Sequence, residues 1–544
     1  MTSDILFAKF ETIFNAPNAV MRIRDLILRL AVRGKLVERR IDECYASQDL
    51  RTIWLSQSTE RIEKTDERIS APFKVPDHWE WVSLQEIASF KIGKTPPRKN
   101  TDFWDKEDHE WVSIADMQHY QPIDSTKESI SSLAAKEVFR NDPAPAGSIL
   151  MSFKLTIGKV ARTLLPRFHN EAIISLSPPE PELDDYLFRT LPLFAPLQIS
   201  NNAIKGKTLN KGLLKSLPIA FPPLAEQKRI VAKVDELMAL CDQLEAQQQE
   251  RDKQHAALAR ASLARFANDP TPDNLQFLFH RSYDIDPEDL RKTVLNLAIQ
   301  GRLVSQDSRD EPAVDLYSHI NRVKESLIKQ SRIKKTKVEA NPKEDDAGPL
   351  PSGWFWTRLG NCFDVRDGTH DTPKYINKGY PLITSKNIYS GYLDFDNVRF
   401  ISETDHRQIS ERSRVDRGDV LFAMIGSIGN PAIVDTDRKF SIKNVALFKY
   451  YDDVSFEPRF LHLYLSHVAD EMKEKAMGGV QSFVSLGFLR NYVFPLPPLA
   501  EQKRIVAKVD ELMALVDELE TQLASSREVA KNLLEALVAE LTAA

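Results

Sequence analysis

One stretch of this chain occurs twice. PPLAEQKRIVAKVDELMAL runs from Pro222 to Leu240 and returns unchanged from Pro497 to Leu515, nineteen residues repeated at an offset of 275 in a chain of 544. Past the identity the copies drift but stay related, CDQLE from Cys241 to Glu245 against VDELE from Val516 to Glu520. An offset of half the chain means two copies of a domain-sized unit, not a solenoid of short repeats. The duplication reaches further: LAVRGKLV from Leu30 to Val37 corresponds to LAIQGRLV from Leu297 to Val304, and Phe10 to Phe277, at an offset of 267.

Each copy reads as the opening of a long helix. Two prolines stand ahead of it, where a missing backbone N–H costs least, and Glu226 or Glu501 lies in the first turn, where the helix dipole favours a carboxylate. In the second copy apolar or small residues fall at Ile505, Val509, Leu512, Val516, Leu519, Leu523, Ala530, Leu533 and Leu537, a heptad seam. The first copy matches it at Ile230, Val234, Leu237, Cys241 and Leu244, loses it at Gln248, Arg251 and His255, and regains it from Ala256 to Leu263. One such helix alone reads equally as an amphipathic core helix. Two in one chain predict pairing with each other through Ile230, Val234, Leu237, Leu244, Ile505, Val509, Leu512, Val516 and Leu519; packing within a single lobe is the other use of the same residues. Each helix would span roughly 65 Å at the usual rise per residue.

Around these helices the chain divides by texture. Residues 1–70 are predicted helical, with Leu6, Phe10 and Ile13 marking one amphipathic series and Ile23, Leu26, Ile27, Leu30 and Ala31 a second, stopped by Gly34. Residues 71–221 turn to short alternating runs broken by Gly and Pro, such as Trp79 to Leu84, Glu110 to Ile114 and Ser148 to Phe153, the pattern of strands. Residues 222–347 hold the first long helix, shorter helices, a basic run from Lys329 to Lys337 and an acidic linker. Residues 348–496 repeat the β-rich scheme, Pro76, Trp79, Trp81, Leu84 and Gly93 meeting Pro351, Trp354, Trp356, Leu359 and Gly368; residues 497–544 form the second long helix. The expected fold class is α+β: two β-rich domains of one fold, separated by two long antiparallel coiled-coil helices in an internal pseudo-two-fold repeat. Turns and apolar anchors match between the domains while most polar residues differ, so one fold carries two surfaces.

Composition bounds the function. A hydrophobic content of 42% supports several cores, and a formal net charge of -5 gives no overall pull toward nucleic acid. Residues 72–221 carry 18 basic and 18 acidic side chains, and the second β-rich stretch is similarly balanced. Cys44, Cys241 and Cys362 lie far apart, with neither metal-ligand spacing nor a disulfide framework, which suits a reducing cytoplasm. Neither a signal peptide nor a membrane span is expected. No catalytic or metal centre emerges. Gly93-Lys94-Thr95 and Gly206-Lys207-Thr208 end like phosphate-binding loops, but Ala88 and Asn201 stand where the upstream glycine belongs. SPPE from Ser177 to Glu180 has the prolines of an adenine-methyltransferase signature without its aromatic residue. His370 has an acid beside it but no nucleophile at suggestive spacing, and reads as a turn-former or a surface contact.

Two divergent β-rich domains, each followed by the proline-proline-leucine-x-Glu-Gln helix start, resemble over the whole chain the specificity (S, HsdS) subunit of type I restriction–modification enzymes. The LAVRGKLV stretch and its echo add to the resemblance. It implies that 71–221 and 348–496 are target recognition domains, each reading one half of an asymmetric bipartite site on double-stranded DNA. It implies that the helices act as a spacer and seat two methyltransferase (M) subunits, with restriction (R) subunits joining the complex. No cofactor is expected on this chain: SAM belongs to the methyltransferase partner, which flips and methylates an adenine, and ATP and Mg belong to the restriction partner. Two unlike readers favour this over a coiled-coil adaptor whose β-rich domains bind protein partners. The missing cofactor motifs weigh against a stand-alone DNA-modifying enzyme.

Base edges are read by Arg, Lys, Asn and Gln, while phosphate contacts position the protein. On local chemistry the candidate reading residues of the first domain are Lys91, Lys94, Thr95, Arg98 and Lys99, with Lys205, Lys207, Asn210 and Lys211. Those of the second are Arg366, Thr369, His370, Thr372 and Lys374, with Gln481 and Ser482. All lie in turn-rich polar segments, each reads equally as a solvated loop residue, and the lysines favour phosphate over bases.

Overall fold

The computed structural model describes the chain except residues 1–13, 15, 41–42, 57–68, 70, 201–208, 280–284, 344, 346–347, 389–390, 427, 453–454, 477–482 and 544. Leu6, Phe10 and Ile13 of the first predicted helix, and the candidates Lys205, Lys207, Gln481 and Ser482, lie outside the described residues. The chain forms two compact units, Met1–Glu250 with Ser525–Ala544, and Arg251–Ala524. The division falls inside both long helices.

In unit 1, α1 (Ala19–Val32) and α2 (Ala46–Ser56) precede the β-rich domain. The apolar face of α1 buries Val20, Ile27, Leu28 and Ala31. The helix then ends on a left-handed Gly34 at φ +68°, with Gly34 N–H donating to Ala31 O and Lys35 N–H to Leu30 O. The domain comprises β1 (Glu80–Ser83), β2 (Ser89–Ile92), β3 (Trp104–Val112), β4 (Gln121–Ile123), β5 (Glu128–Ile130), α3 (Ser132–Glu137), β6 (Ile149–Ser152), β7 (Val160–Thr163), β8 (Phe168–His169) and β9 (Ile173–Ser177). It closes with α4 (Pro181–Ser200), α5 (Lys211–Lys215) and β10 (Pro218–Phe221), and leads into α6 (Leu224–Asn268). Strand β1 pairs antiparallel with β10, so the domain opens and closes on one ribbon. A five-stranded sheet runs β2-β9-β6-β7-β4 and a three-stranded sheet β5-β3-β8.

Unit 2 repeats the plan. After α7 (Pro272–Leu278), α8 (Pro287–Ile299) and α9 (Ala313–Lys329) come β11 (Phe355–Arg358), α10 (Leu359–Cys362), β12 (Asp364–Asp367), β13 (Tyr380–Ile383), β14 (Arg399–Ile401) and α11 (Glu403–Ser413). Then follow β15 (Val420–Ala423), β16 (Gly429–Ile433), β17 (Ser441–Ile442), β18 (Val445–Lys449), α12 (Pro458–Glu474), α13 (Leu486–Asn491), β19 (Val493–Leu496) and α14 (Leu499–Ala543). The ribbon is β11 with β19, and the sheets run β12-β18-β15-β16 and β14-β13-β17. Strand for strand the orders correspond, with only β4 lacking a counterpart among the described residues. The parallel pairing also recurs, β3 with β8 and β13 with β17.

The run from Ser148 to Phe153, expected as an alternating strand, is buried on both faces. Ile149 and Met151 enter the core shared with α1, α4 and α6, while Leu150 joins a second core with Val112, Ala161 and Ile173. In unit 2 Val420 and Phe422 divide likewise from Leu421 and Ala423. A strand covered on both faces is apolar throughout, which is why its period does not show.

Both long helices have 45 residues. Helix α6 opens in unit 1 and closes in unit 2, and α14 does the reverse. In unit 1 the last turns of α14 come back to α1: Ala530, Leu534 and Leu537 share a core with Ala16 and Ala19, and Arg22 meets Glu535 at 3.1 Å. In unit 2 the last turns of α6 add Ala259 and Phe266 to the core that holds Ile505, Val509, Leu512 and Val516. Among the described residues no helix is long and apolar enough to cross a membrane.

The repeated motif makes repeated bonds. Gln227 Nε2 donates to Pro222 O at 2.8 Å and Gln502 Nε2 to Pro497 O at 3.0 Å, tying each helix start to its own prolines. Arg229 reaches Glu43 and the Glu38 carbonyl, as Arg504 reaches Asp310 and the Ser305 carbonyl. Asp235 takes Arg189 of α4, and Asp510 takes Arg459 of α12. Further on, Asp242 and Glu245 clasp Arg24 of α1, and Asp517 and Glu520 clasp Arg291 of α8. One buried carboxylate differs: Glu226 bonds His78 at 2.7 Å, whereas Glu501 accepts from Gln306 at 2.8 Å.

The residues assigned to helix pairing sit in these same cores. Ile230 and Val234 are buried, and Leu237 and Leu244 half-buried, in the cluster that contains Val20 and Ile27 of α1. Ile505, Val509, Leu512 and Val516 are buried with Leu290, Val294 and Leu297 of α8, and Leu519 is half-buried. Each stripe is covered inside its own unit by a short helix and the β-rich domain, and in unit 2 also by the end of α6.

Candidate nucleic-acid interface

In unit 1 the segment after β2 carries most of the first domain's candidates. Gly93 opens it, donating its N–H to Ile173 O, and a Cβ there would lie 2.1 Å from His169 O. Glycine lets the loop cross the β8–β9 turn at backbone distance. Most candidate side chains, Lys91 of β2 included, are engaged within the domain. Lys91 holds Asp142 at 2.8 Å, Lys94 Nζ donates to Val138 O at 2.7 Å, and the Thr95 hydroxyl donates to Glu171. Arg98 grips both carboxylate oxygens of Glu128 and lies 3.9 Å over the Trp104 ring. Asn210 caps α5, accepting from Leu213 N–H at 2.9 Å. Lys99 and Lys211 are exposed and have no partner among the described residues.

A pocket of 530 Å³ gathers Lys91, Lys94, Arg140, Asp142, His169 and Lys211. Arg140, which sequence reasoning missed, stands with Asn141 in a left-handed turn (φ 59° and 55°), and its side chain has no partner among the described residues. The Arg140-Asn141 pair ahead of Asp142-Pro143 was a turn signal that could have pointed to it. Four cations face one carboxylate here. Burial lowers His169 to about 4, so its ring is neutral near pH 7 and adds no charge.

In unit 2 the segment after β12 makes the same approach. Gly368 N–H donates to Val445 O, and a Cβ would lie 2.2 Å from Ile442 O. Here Thr369, His370 and Thr372 brace the loop, while Arg366 stays within β12. His370 places one ring nitrogen 2.9 Å from the buried carboxylate of Asp367 and the other 3.2 Å from Asn444 Oδ1. Arg366 Nε donates to Asp364 at 2.8 Å, the Thr369 hydroxyl to Asp371 O at 3.4 Å, and Thr372 accepts from Lys443. Lys374 is exposed, with no partner among the described residues.

A pocket of 590 Å³ borders the β17–β18 turn, lined by Tyr375, Thr384, Lys386, Arg399, Lys443 and Asn444, among others, and by no carboxylate among the described residues. Sequence reasoning missed Lys386, Arg399, Lys443 and Asn444. Arg399 starts β14 and the Lys443-Asn444 pair joins β17 to β18, so each sits beside strand residues in the sequence. Only the pairing of β14, β13 and β17 brings them around one space. The left-handed φ of Asn444, 55°, marks the turn that turns it there.

The two β-rich domains, balanced in total charge, thus each hold a local cation-rich pocket, beside β2 and β9 in unit 1 and beside β13 and β14 in unit 2. Lysine and arginine with amide and hydroxyl groups can bond phosphate oxygens and base edges. Among the described residues no group of three or more His, Cys, Asp or Glu is placed to hold a metal ion.

The family profile of the type I restriction modification DNA specificity domain matches residues 76–251 and 351–526. Each match covers one β-rich domain and the first part of the long helix that follows. The type I restriction enzyme EcoAI specificity subunit of Escherichia coli is 28% identical, over 95% of this chain and 93% of that protein. The EcoEI specificity subunit of Escherichia coli gives the same identity and the same coverage. The crystal structure of the HsdS subunit from Thermoanaerobacter tengcongensis superposes with a TM-score of 0.45 at 20% identity, over 87% of this chain and 98% of that one. The chain belongs to the type I restriction–modification specificity family and carries two copies of its DNA specificity domain.

Proposed function

We propose that each specificity domain reads one half of an asymmetric, bipartite site on double-stranded DNA, and that α6 and α14 set the gap between the halves. The observation that carries this reading is one topology, present twice, whose copies gather unlike sets of cations at different strands. Unit 1 offers Lys91, Lys94, Arg140 and Lys211 beside Asp142, while unit 2 offers Lys386, Arg399 and Lys443 beside Thr384 and Asn444. Different donors and acceptors on two copies of one fold select different bases.

The long helices also seat two methyltransferase (M) subunits, which bind SAM and methylate an adenine in each half. Restriction (R) subunits, with ATP and Mg, join for cleavage. The naming of the EcoAI and EcoEI relatives as specificity subunits of type I restriction enzymes supports placing the chain in such an assembly. This chain supplies address and geometry, without a catalytic residue of its own. With basic and acidic side chains balanced, the isolated chain binds DNA weakly and in a salt-sensitive way, and the assembled methyltransferase binds far more tightly. A gel-shift titration of both at one salt concentration checks this; equal affinities would contradict it.

The decisive experiment is methylome mapping in cells that express the chain with its partner subunits, before and after residues 348–496 are exchanged for those of another specificity subunit. One half of the methylated motif should change and the other persist. Loss of both halves would count against independent readers.

A further inference from the structure

The internal repeat supplies its own comparison. In unit 1 the approach to β1 carries Phe73 onto Trp81, ring centroids 5.0 Å apart, and the Arg33 guanidinium lies 4.6 Å over the Phe73 ring. At the offsets of the repeat, the counterparts in unit 2 are Gly348, Trp356 and Gln300. Ring and guanidinium are both missing there. All three positions line one open groove of 1500 Å³, together with Tyr464, Phe488 and Tyr492.

The groove has a fixed wall. Residues 339–341 of the linker are tied to the domain: Glu339 N–H donates to Asn491 Oδ1 at 2.9 Å, and Asn361 Nδ2 donates to Asn341 Oδ1 at 2.7 Å. Trp356 Nε1 donates to Gly348 O at 2.8 Å, which holds the indole at the groove edge. Small-molecule sites run to about 300–1,000 Å³, so a groove of this size suits a stretch of polypeptide better.

Its charges are unevenly matched. Glu339 pairs with Arg358 at 3.0 Å. Glu471 accepts from Lys475 and from the Tyr492 hydroxyl, donors that hold its carboxyl below the usual range. Arg302 bonds only the Asn268 carbonyl, at 2.7 Å, and neither it nor Lys343 has a carboxylate partner among the described residues. Among the described lining residues Arg302, Lys343, Arg358 and Lys475 outnumber Glu339 and Glu471.

We propose that this groove binds an extended segment of a partner protein that sets an aromatic side chain on Trp356 and presents carboxylates to Arg302 and Lys343. The ring takes the place that Phe73 fills in unit 1, in the manner of peptides that dock side-chain anchors into aromatic-lined grooves.

The test uses the full chain and a fluorescein-labelled peptide, Ala-Pro-Phe-Glu-Val-Pro-Asp, which copies residues 71–77 with glutamate in place of Lys74. Fluorescence anisotropy should show saturable binding. Alanine in place of the peptide's phenylalanine should weaken it about tenfold or more, the worth of burying a ring. Trp356→Ala should abolish binding. Arg302→Glu with Lys343→Glu should weaken it to a similar extent, and Lys343→Glu alone, at an exposed side chain, should weaken it without moving the unfolding temperature. The proposal is overturned if the peptide does not bind, if the phenylalanine-free peptide binds as well, if the Arg302→Glu/Lys343→Glu chain keeps full affinity, or if a peptide with lysines for its carboxylates binds as tightly.

Discussion

Gly34 and Gly301 hold the same turn in the two units, at φ +68° and +64°. A Cβ on them would lie 2.4 Å from Pro76 Cγ and 2.6 Å from Pro351 Cγ. Gly34→Ala should therefore combine a left-handed backbone penalty with overpacking, about 3 kcal/mol in all. Gly147, at φ +85° with open space around it, provides the control: Gly147→Ala should cost about 1 kcal/mol. Urea denaturation of both variants measures the difference. If the unit 1 pocket meets DNA as proposed, Arg140→Ala and Lys211→Ala should each weaken binding and lower the salt slope by about 0.9, read from gel-shift titrations at several salt concentrations. Two rings give a pH dependence: burial of His169, and partial burial of His462 beside Arg459, lower both to about 4, against 6.5 for a free ring. Above 6.5 both states hold the neutral ring and stability does not depend on it. Between about 6.5 and 4 the unfolded chain takes up a proton that the folded chain refuses, so stability falls as pH falls, by about 1.4 kcal/mol per unit for each ring. Stability measured from pH 7 to pH 5 should drop accordingly, and His462→Gln should flatten the slope.

At the scale of the element, the long-helix starts are held by two kinds of force. The clasps of Arg24 and Arg291 are repeated bond for bond, but their carboxylates are 45–71% exposed, so each salt bridge is worth about 0.5 kcal/mol. Ile505 is fully buried in the core with Val509, Leu512 and α8, and its truncation leaves a cavity. Ile505→Ala should cost about 3 kcal/mol and Arg291→Met, which loses two bridges, about 1 kcal/mol in the same denaturation assay. The apolar stripe thus anchors each helix to its domain, while the polar bonds orient it. The heptad pattern was legible in the sequence because burial imposes a period. What covers the stripe was not, since α1, α8 and a partner long helix leave the same period behind.

For the whole molecule, the middle of each long helix, around residues 246–258 of α6 and 520–529 of α14, is largely exposed. If these helices set the gap between half-sites, seven residues inserted after both Glu250 and Ser525 would lengthen each by about 10 Å, nearly two turns, so the stripes keep their phase. The mapped methylation motif should then keep both half-sites and widen its spacer by about three base pairs. A motif whose spacer stays constant would show that the gap is set elsewhere. The plan that this insertion probes was visible in the sequence, since the 275-residue offset alone implied two units. The cut inside both helices was not, because each helix is continuous in sequence and only its neighbours change along it.

By itself the sequence determined the duplication, the two helix starts, the two β-rich domains and the family, all of which are written in local order, period and identity. Only the tertiary structure decided which cations are free. Lys91 is engaged by Asp142, 51 residues away, and Arg98 by Glu128, while Arg140 and Arg399, unremarkable in sequence, line the pockets. The physical reason is that a side chain's partner is set by strand order and register, which join residues far apart in the chain. A periodic pattern records that a face is buried without recording what lies against it.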